Sequence, residues 1–145
     1  MSCKVLFLDV DGVLNSAAWF AQNPAATGLE SLDPVAIARV KRVLKTTSAQ
    51  VVLSSTWRFV PNFVKALLHM NVPMLSITPR IDSNHRGEEI HAWLQSHTAI
   101  DRFAIIDDDD DAGDGFDLAP HFVQTHWNTG MTEAHEHALI ALLKD

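Results

Sequence analysis

The sequence has a single cysteine, Cys3, so no internal disulfide can form, and a reducing, cytoplasmic setting is the default expectation. No hydrophobic run approaches the length of a transmembrane helix, so no membrane span is expected. The apolar stretch near the N-terminus is short and soon meets Asp9, which argues against a signal peptide. Basic residues are scarce: eleven Lys and Arg stand against eighteen Asp and Glu, for a net charge of −7. That balance disfavours tight, nonspecific binding to nucleic acid. It does not exclude action on a nucleic-acid end, where a bound metal offsets charge locally. Zinc spacing is missing as well. His135 and His137 lie two apart on an expected helix and point different ways, and no His/Cys cluster replaces them. There is no internal repeat and no low-complexity linker. With 47% hydrophobic residues the chain is not expected to be disordered, and 145 residues predict one domain, 1–145, with a real core.

What is present begins at residues 4–15. The apolar run Val5-Leu6-Phe7-Leu8 is too short for a helix and lacks polar alternation, as expected of a central strand covered on both faces. It stops at Asp9 and Asp11, with Gly12 next. Carboxylates just past the end of a buried parallel strand lie where open α/β sheets hold their ligands. Two carboxylates this close repel unless a cation sits between them or one carries a proton. The pattern asks for a divalent metal and an electrophile.

Three further strand ends carry chemistry. Gln50-Val51-Val52-Leu53 runs into Ser54-Ser55-Thr56-Trp57-Arg58. Hydroxyls at a strand end before a helix suit a phosphoryl oxygen, although Ser and Thr also cap helices for their own sake, and Thr56 is the expected cap. The helix that follows is expected to run on through Val60, Phe63, Val64, Leu67 and Leu68, with Pro61 tolerated in its first turn. A strand over 72–77, in which Pro73 implies an edge position or a place in the strand's first residues, precedes a helix over 87–97. Arg86 stands at that helix start, where a cation opposes the macrodipole; such a local misfit marks a functional residue, with Arg80 as its competitor. Phe103-Ala104-Ile105-Ile106 then ends in five consecutive acids, Asp107 to Asp111. Counted from Asp107, a calcium loop would need Gly at 112 and Glu at 118, where Ala and Leu stand. Elsewhere, Asp33 and Pro34 are expected to open a helix, residues 121–125 suit a fifth strand, and Thr132 is expected to cap a last helix. Residues 16–33 read as a loop or short hairpin. Trp19 and Phe20 there either flank a substrate or pack beneath the loop.

Taken in order, Asp9-Val10-Asp11-Gly12-Val13-Leu14-Asn15, Ser54-Ser55-Thr56-Trp57-Arg58, Arg86-Gly87-Glu88-Glu89-Ile90 and Asp107-Asp108-Asp109 resemble the four motifs of the haloacid dehalogenase (HAD) superfamily. They look most like its small capless domains, such as the one found in Swiss Army Knife RNA repair proteins. The resemblance implies a three-layer α/β sandwich with a central parallel five-stranded sheet, and a magnesium-dependent phosphatase. In it Asp9 is the nucleophile, Asp11 the general acid and base, and Ser54 or Ser55 with Arg86 the phosphoryl holders. Mg2+ would rest on the Asp9 carboxylate, the Asp11 carbonyl and the pair Asp107/Asp108. Arg58 either reaches substrate or lies on a helix surface, and Trp19 is a candidate substrate contact. Only 42 residues separate Asp11 from Ser54, too few for a large cap. An open site goes, in this superfamily, with large substrates such as a nucleic-acid end; a small phosphorylated metabolite is the alternative. A non-catalytic HAD-like or receiver-like phosphoacceptor module is the competing class.

Overall fold

The computed structural model describes residues 3–145. Its centre is β1 (Lys4–Leu8), in which Val5, Leu6, Phe7 and Leu8 are at most 1% exposed. β2 (Gln50–Leu53) and β4 (Arg102–Asp107) pair with it in parallel on either side, and β3 (Met74–Ile77) and β5 (Phe122–Gln124) close the sheet in the order β3-β2-β1-β4-β5. Successive side chains on a strand face opposite ways, so an unbroken apolar β1 must feed two cores. Leu6 and Leu8 enter one, with Val40 and Val43 of α2 (Pro34–Thr47), Phe63 and Leu67 of α3 (Pro61–His69), and Leu139 of α5 (Glu133–Leu143). Val5 and Phe7 enter the other, with Ile90 and Trp93 of α4 (Arg86–Ser96). There Phe7 meets the edge of Trp93 with ring centroids 5.4 Å apart. The result is the expected three-layer α/β sandwich with an all-parallel sheet and β1 at its middle.

Element starts follow local chemistry. The Asp33 carboxylate accepts the Val35 N–H at 2.9 Å, and Pro34 occupies the first turn of α2. Thr132 and His135 form a capping box at α5. β3 is an edge strand, and Pro73 lies just before it, its carbonyl accepting the Val51 N–H.

Three expectations give way. Residues 16–33 form no hairpin: Ala17–Gln22 is a short helix, α1, and Gly28–Ser31 a 3-10 turn. Ser16 caps α1 by accepting the Trp19 N–H at 3.1 Å, and the Ala17 and Ala18 N–H groups are tied to the carbonyls of Trp127 and Asn128. No folded lid is added there. Nor does one helix run on from Thr56. Thr56–Phe59 is a 3-10 turn capped by Ser55, not Thr56, and Val60 is extended at φ −98° and ψ 105° before α3 starts at Pro61. The proline ring disfavours the helical region for the residue before it, so Pro61 restarts the helix instead of riding within it. The helix expected over 87–97 runs from Arg86 to Ser96, with His85 as its cap; His97 falls just past its end, stacked on Trp93 at 3.7 Å.

Candidate active site

The carboxyl ends of β1, β2 and β4 meet the N-terminus of α4. Asp9 is the first residue past β1, and its N–H donates to the Ile106 carbonyl. Ser54 is the first past β2, tied to β1 through the Leu8 carbonyl. Asp107 is the last residue of β4. Parallel register therefore delivers three polar side chains to one edge.

Arg86 crosses to them from α4. Its Nη1 donates to Asp107 at 2.7 Å and to Asp9 at 3.2 Å. The structure brings Arg86, not Arg80, onto the carboxylates. Arg80 instead lies over the Phe59 ring, 4.3 Å from its centroid. The position of Arg86 is itself fixed, because its backbone N–H donates to Asp111 at 2.9 Å. That carboxylate also offsets the unfavourable cation at a helix start.

Asp9, Asp107 and Asp108 can each bring a carboxylate oxygen within 4.8 Å of the others. Burial and then the Asp9 charge push Asp107 up to about 9, against the opposing pull of Arg86. The same two causes, in that order, push Asp108 up to about 6. Burial would lower Arg86, but Asp107 and Asp9 outweigh it and raise it. The three carboxylates thus lack positive charge despite Arg86. An all-oxygen set that needs a cation fits a hard divalent ion such as magnesium. Gly12 makes room for this: its φ is +80°, and a Cβ there would run into the Asp108 carboxylate.

Asp11 stands apart from that set. Its carboxylate accepts from Trp57 Nε1 at 3.0 Å and from Asn15 Nδ2 at 2.9 Å, while Asn15 Oδ1 takes the Gly12 N–H. Neither Trp57 nor Asn15 was singled out from sequence, although both lie inside the motif strings. Only the packing of the 3-10 turn against residues 11–15 gives them a role.

The hydroxyls divide. Ser55 is taken up as a cap, accepting the Trp57 N–H at 3.2 Å. Ser54 is fully buried, and its Oγ has no partner among the described residues. A buried hydroxyl left unpaired is costly unless something else completes it. Arg58 neither reaches outward nor lies on a helix surface. It is 5% exposed and donates to the carbonyls of Ser54, Ser55, Thr78 and Pro79 and to Glu89. Trp19 is half-buried on α1 with its indole nitrogen enclosed, and Phe20 beside it packs on Trp127. Of the remaining acids, Asp109 caps the 3-10 turn Asp110–Gly113, and Asp110 is exposed.

The family described as HAD domain in Swiss Army Knife RNA repair proteins matches over residues 5–135, a span that contains every residue of this site. The chain belongs to this family. No curated protein and no solved structure matches it. Membership in a HAD family points to phosphohydrolase chemistry on a phosphorylated substrate. No helix of the described residues is long and apolar enough to cross a membrane.

Proposed function

We propose that this HAD domain is a magnesium-dependent phosphatase that works through an aspartyl-phosphate on Asp9. The observation that carries the proposal is Arg86 held between Asp9 and Asp107, beside a third carboxylate and an unpaired buried hydroxyl at the same sheet edge. Asp9 attacks phosphorus as the phosphorus–oxygen bond to the leaving group breaks, and Asp11 supplies a proton to the departing oxygen. Asp11 then takes a proton from the water that hydrolyses the acyl phosphate. Ser54 and Arg86 hold the phosphoryl oxygens. Asp9, Asp108 and the Asp11 carbonyl would hold the magnesium ion, with Asp107 behind them, since Arg86 and the Asp109 N–H already engage its carboxylate. When bound, the ion neutralises charge on the phosphoryl group. The site has no cap, and a large substrate, such as a phosphorylated nucleic-acid end, best supplies the missing cover. Release of phosphate from an aryl phosphate with and without magnesium tests the activity; no release under either condition, from folded protein, refutes it.

The acidic run yields a sharper test. Asp108→Ala should raise the magnesium concentration for half-maximal activity by about tenfold or more, as loss of a direct ligand does. Asp111→Ala should instead lower the melting temperature, because it removes the acceptor of the first α4 N–H, at Arg86, at a cost of about 1 kcal/mol. Magnesium titrations and thermal melts of both variants separate the two roles. Equal magnesium dependence in both would overturn the assignment.

Trp57→Phe removes the indole donor to Asp11 and keeps most of the ring. If Asp11 delivers the proton, kcat should fall about tenfold on alkyl phosphates, whose leaving oxygen needs it. Aryl phosphates, with good leaving groups, should lose much less. A uniform loss across both classes would mean that Trp57 acts elsewhere.

A further inference from the structure

Beside Arg86 the surface sinks into a cleft of about 400 Å³ between the 3-10 turn Thr56–Phe59 and the chain that leads into α4. Its walls include Thr56, Phe59, Arg80, Asp82, Asn84 and Arg86. Two more charges there, Arg58 and Glu89, are paired with each other at 2.9 Å. Arg86 faces Asp9 and Asp107. Arg80 has a different situation: it is exposed, and no carboxylate among the described residues lies within ion-pair distance of it. It is nevertheless not loose, because the Phe59 ring holds its guanidinium at 4.3 Å, while Arg58 stands 4.2 Å from the same ring. A guanidinium positioned on an aromatic ring keeps its planar fork of donors available, the geometry that suits a phosphate. The Thr56 hydroxyl and the Asn84 amide add neutral donors in the same cleft. The volume is at the lower end of the range for small-molecule sites, enough for a phosphate and its sugar.

We propose that this cleft is a second anion subsite, in which Arg80 takes a phosphate one linkage away from the phosphoryl group transferred at Asp9. The preferred substrate then carries two phosphates in succession. This rests on the phosphatase reading of the Asp9 site, and it narrows that reading. It also reconciles the net charge of −7 with a polyanionic substrate, since the attraction needs to act only along one cleft. Asp82 is the cleft's unpaired negative charge among the described residues, and it opposes such a ligand.

The test compares parent, Arg80→Ala and Asp82→Asn with magnesium on three substrates: an aryl phosphate, a nucleoside 3′,5′-bisphosphate and a 3′-phosphorylated oligonucleotide. Arg80→Ala should raise KM for the two-phosphate substrates about tenfold relative to the aryl phosphate, as expected for one charge-assisted contact, with little change in the kcat ratio. Asp82→Asn should shift the same ratio the other way. A gain limited to the bisphosphate identifies a small substrate, and a gain shared by the oligonucleotide identifies a strand end; either supports the subsite. An equal KM change on all three substrates, or none on any, overturns it. Calorimetric binding of the bisphosphate and of a nucleoside monophosphate to Asp9→Asn, with and without Arg80→Ala, gives an answer that needs no turnover. The bisphosphate should bind about tenfold tighter than the monophosphate, and Arg80→Ala should erase that difference. If phosphate release fails but this preference appears, the phosphatase reading falls and the subsite stands. If release succeeds and the preference is missing, the subsite falls alone.

Discussion

Asp9→Asn should slow magnesium-dependent phosphate release by on the order of 10⁴-fold, the scale seen when a nucleophile is removed. The substitution is nearly isosteric. The amide oxygen can still accept from Arg86 Nη1, which lies 3.2 Å from Asp9 Oδ1, so the arginine keeps its place between Asp9 and Asp107. What disappears is the carboxylate lone pair that attacks phosphorus. Stability should not suffer. Asp9 is one of the causes that push Asp107 up to about 9, second only to burial, so removing its charge relieves repulsion inside the cluster. The expected signature is therefore a dead enzyme with an unchanged or higher melting temperature. A binding-only module would show no parent activity to lose. A folded Asp9→Asn protein that retains near-full turnover would move the nucleophile elsewhere, and labelling of the parent by phosphate from substrate would locate it.

The parts of this site that can be read from sequence are those fixed by the strand ends. An apolar run that stops at a polar residue marks where the sheet stops, so sequence alone places Asp9, Ser54 and Asp107 on one edge. The five consecutive aspartates show the limit. As letters Asp107 to Asp111 are equivalent; in space Asp107 faces Arg86, Asp108 joins the cluster under Gly12, Asp109 caps a 3-10 turn and Asp111 accepts the first N–H of α4. Each direction depends on the turn taken after β4, which no periodicity encodes. The short helix within residues 16–33 is hidden for a related reason. Residues 23–28 are turn-like in composition, but Ser16 caps a six-residue helix before them and residues 127–128 hold it from outside. The burial of Arg58 is not legible in sequence, because an arginine after a strand end fits a ligand contact or a helix surface equally well. The guanidinium donates four hydrogen bonds to carbonyls at two strand ends and a fifth to Glu89 of α4, and these acceptors become neighbours only when the sheet forms.

Arg58→Ala should destabilise the fold by about 3–5 kcal/mol, the usual cost of breaking a buried ion pair by removing one partner. The side chains of Arg58 and Glu89 are 2% and 5% exposed and meet at 2.9 Å. Removing the guanidinium takes from Glu89 its closest partner, leaving only the longer contact to Arg86 and the Ile81 N–H, and strips donors from the carbonyls of Ser54, Ser55, Thr78 and Pro79. Those residues close the ends of β2 and β3, and Glu89 sits on α4 one turn from Arg86, with Oε1 3.8 Å from Arg86 Nε. The damage should therefore spread to catalysis through the Ser54 loop and the Arg86 side chain. Arg58→Lys should rescue little, because an ammonium offers three donors from one point and cannot replace a planar fork that reaches five acceptors. Replacing both partners, Arg58→Met with Glu89→Leu, should cost less than Arg58→Ala alone, since no uncompensated charge stays behind. Denaturant melts of the three variants check the ordering. If Arg58→Ala lowers stability by less than about 1 kcal/mol, as an exposed pair would, the guanidinium is free to leave its carbonyls, and its role at the phosphoryl site would have to be reopened.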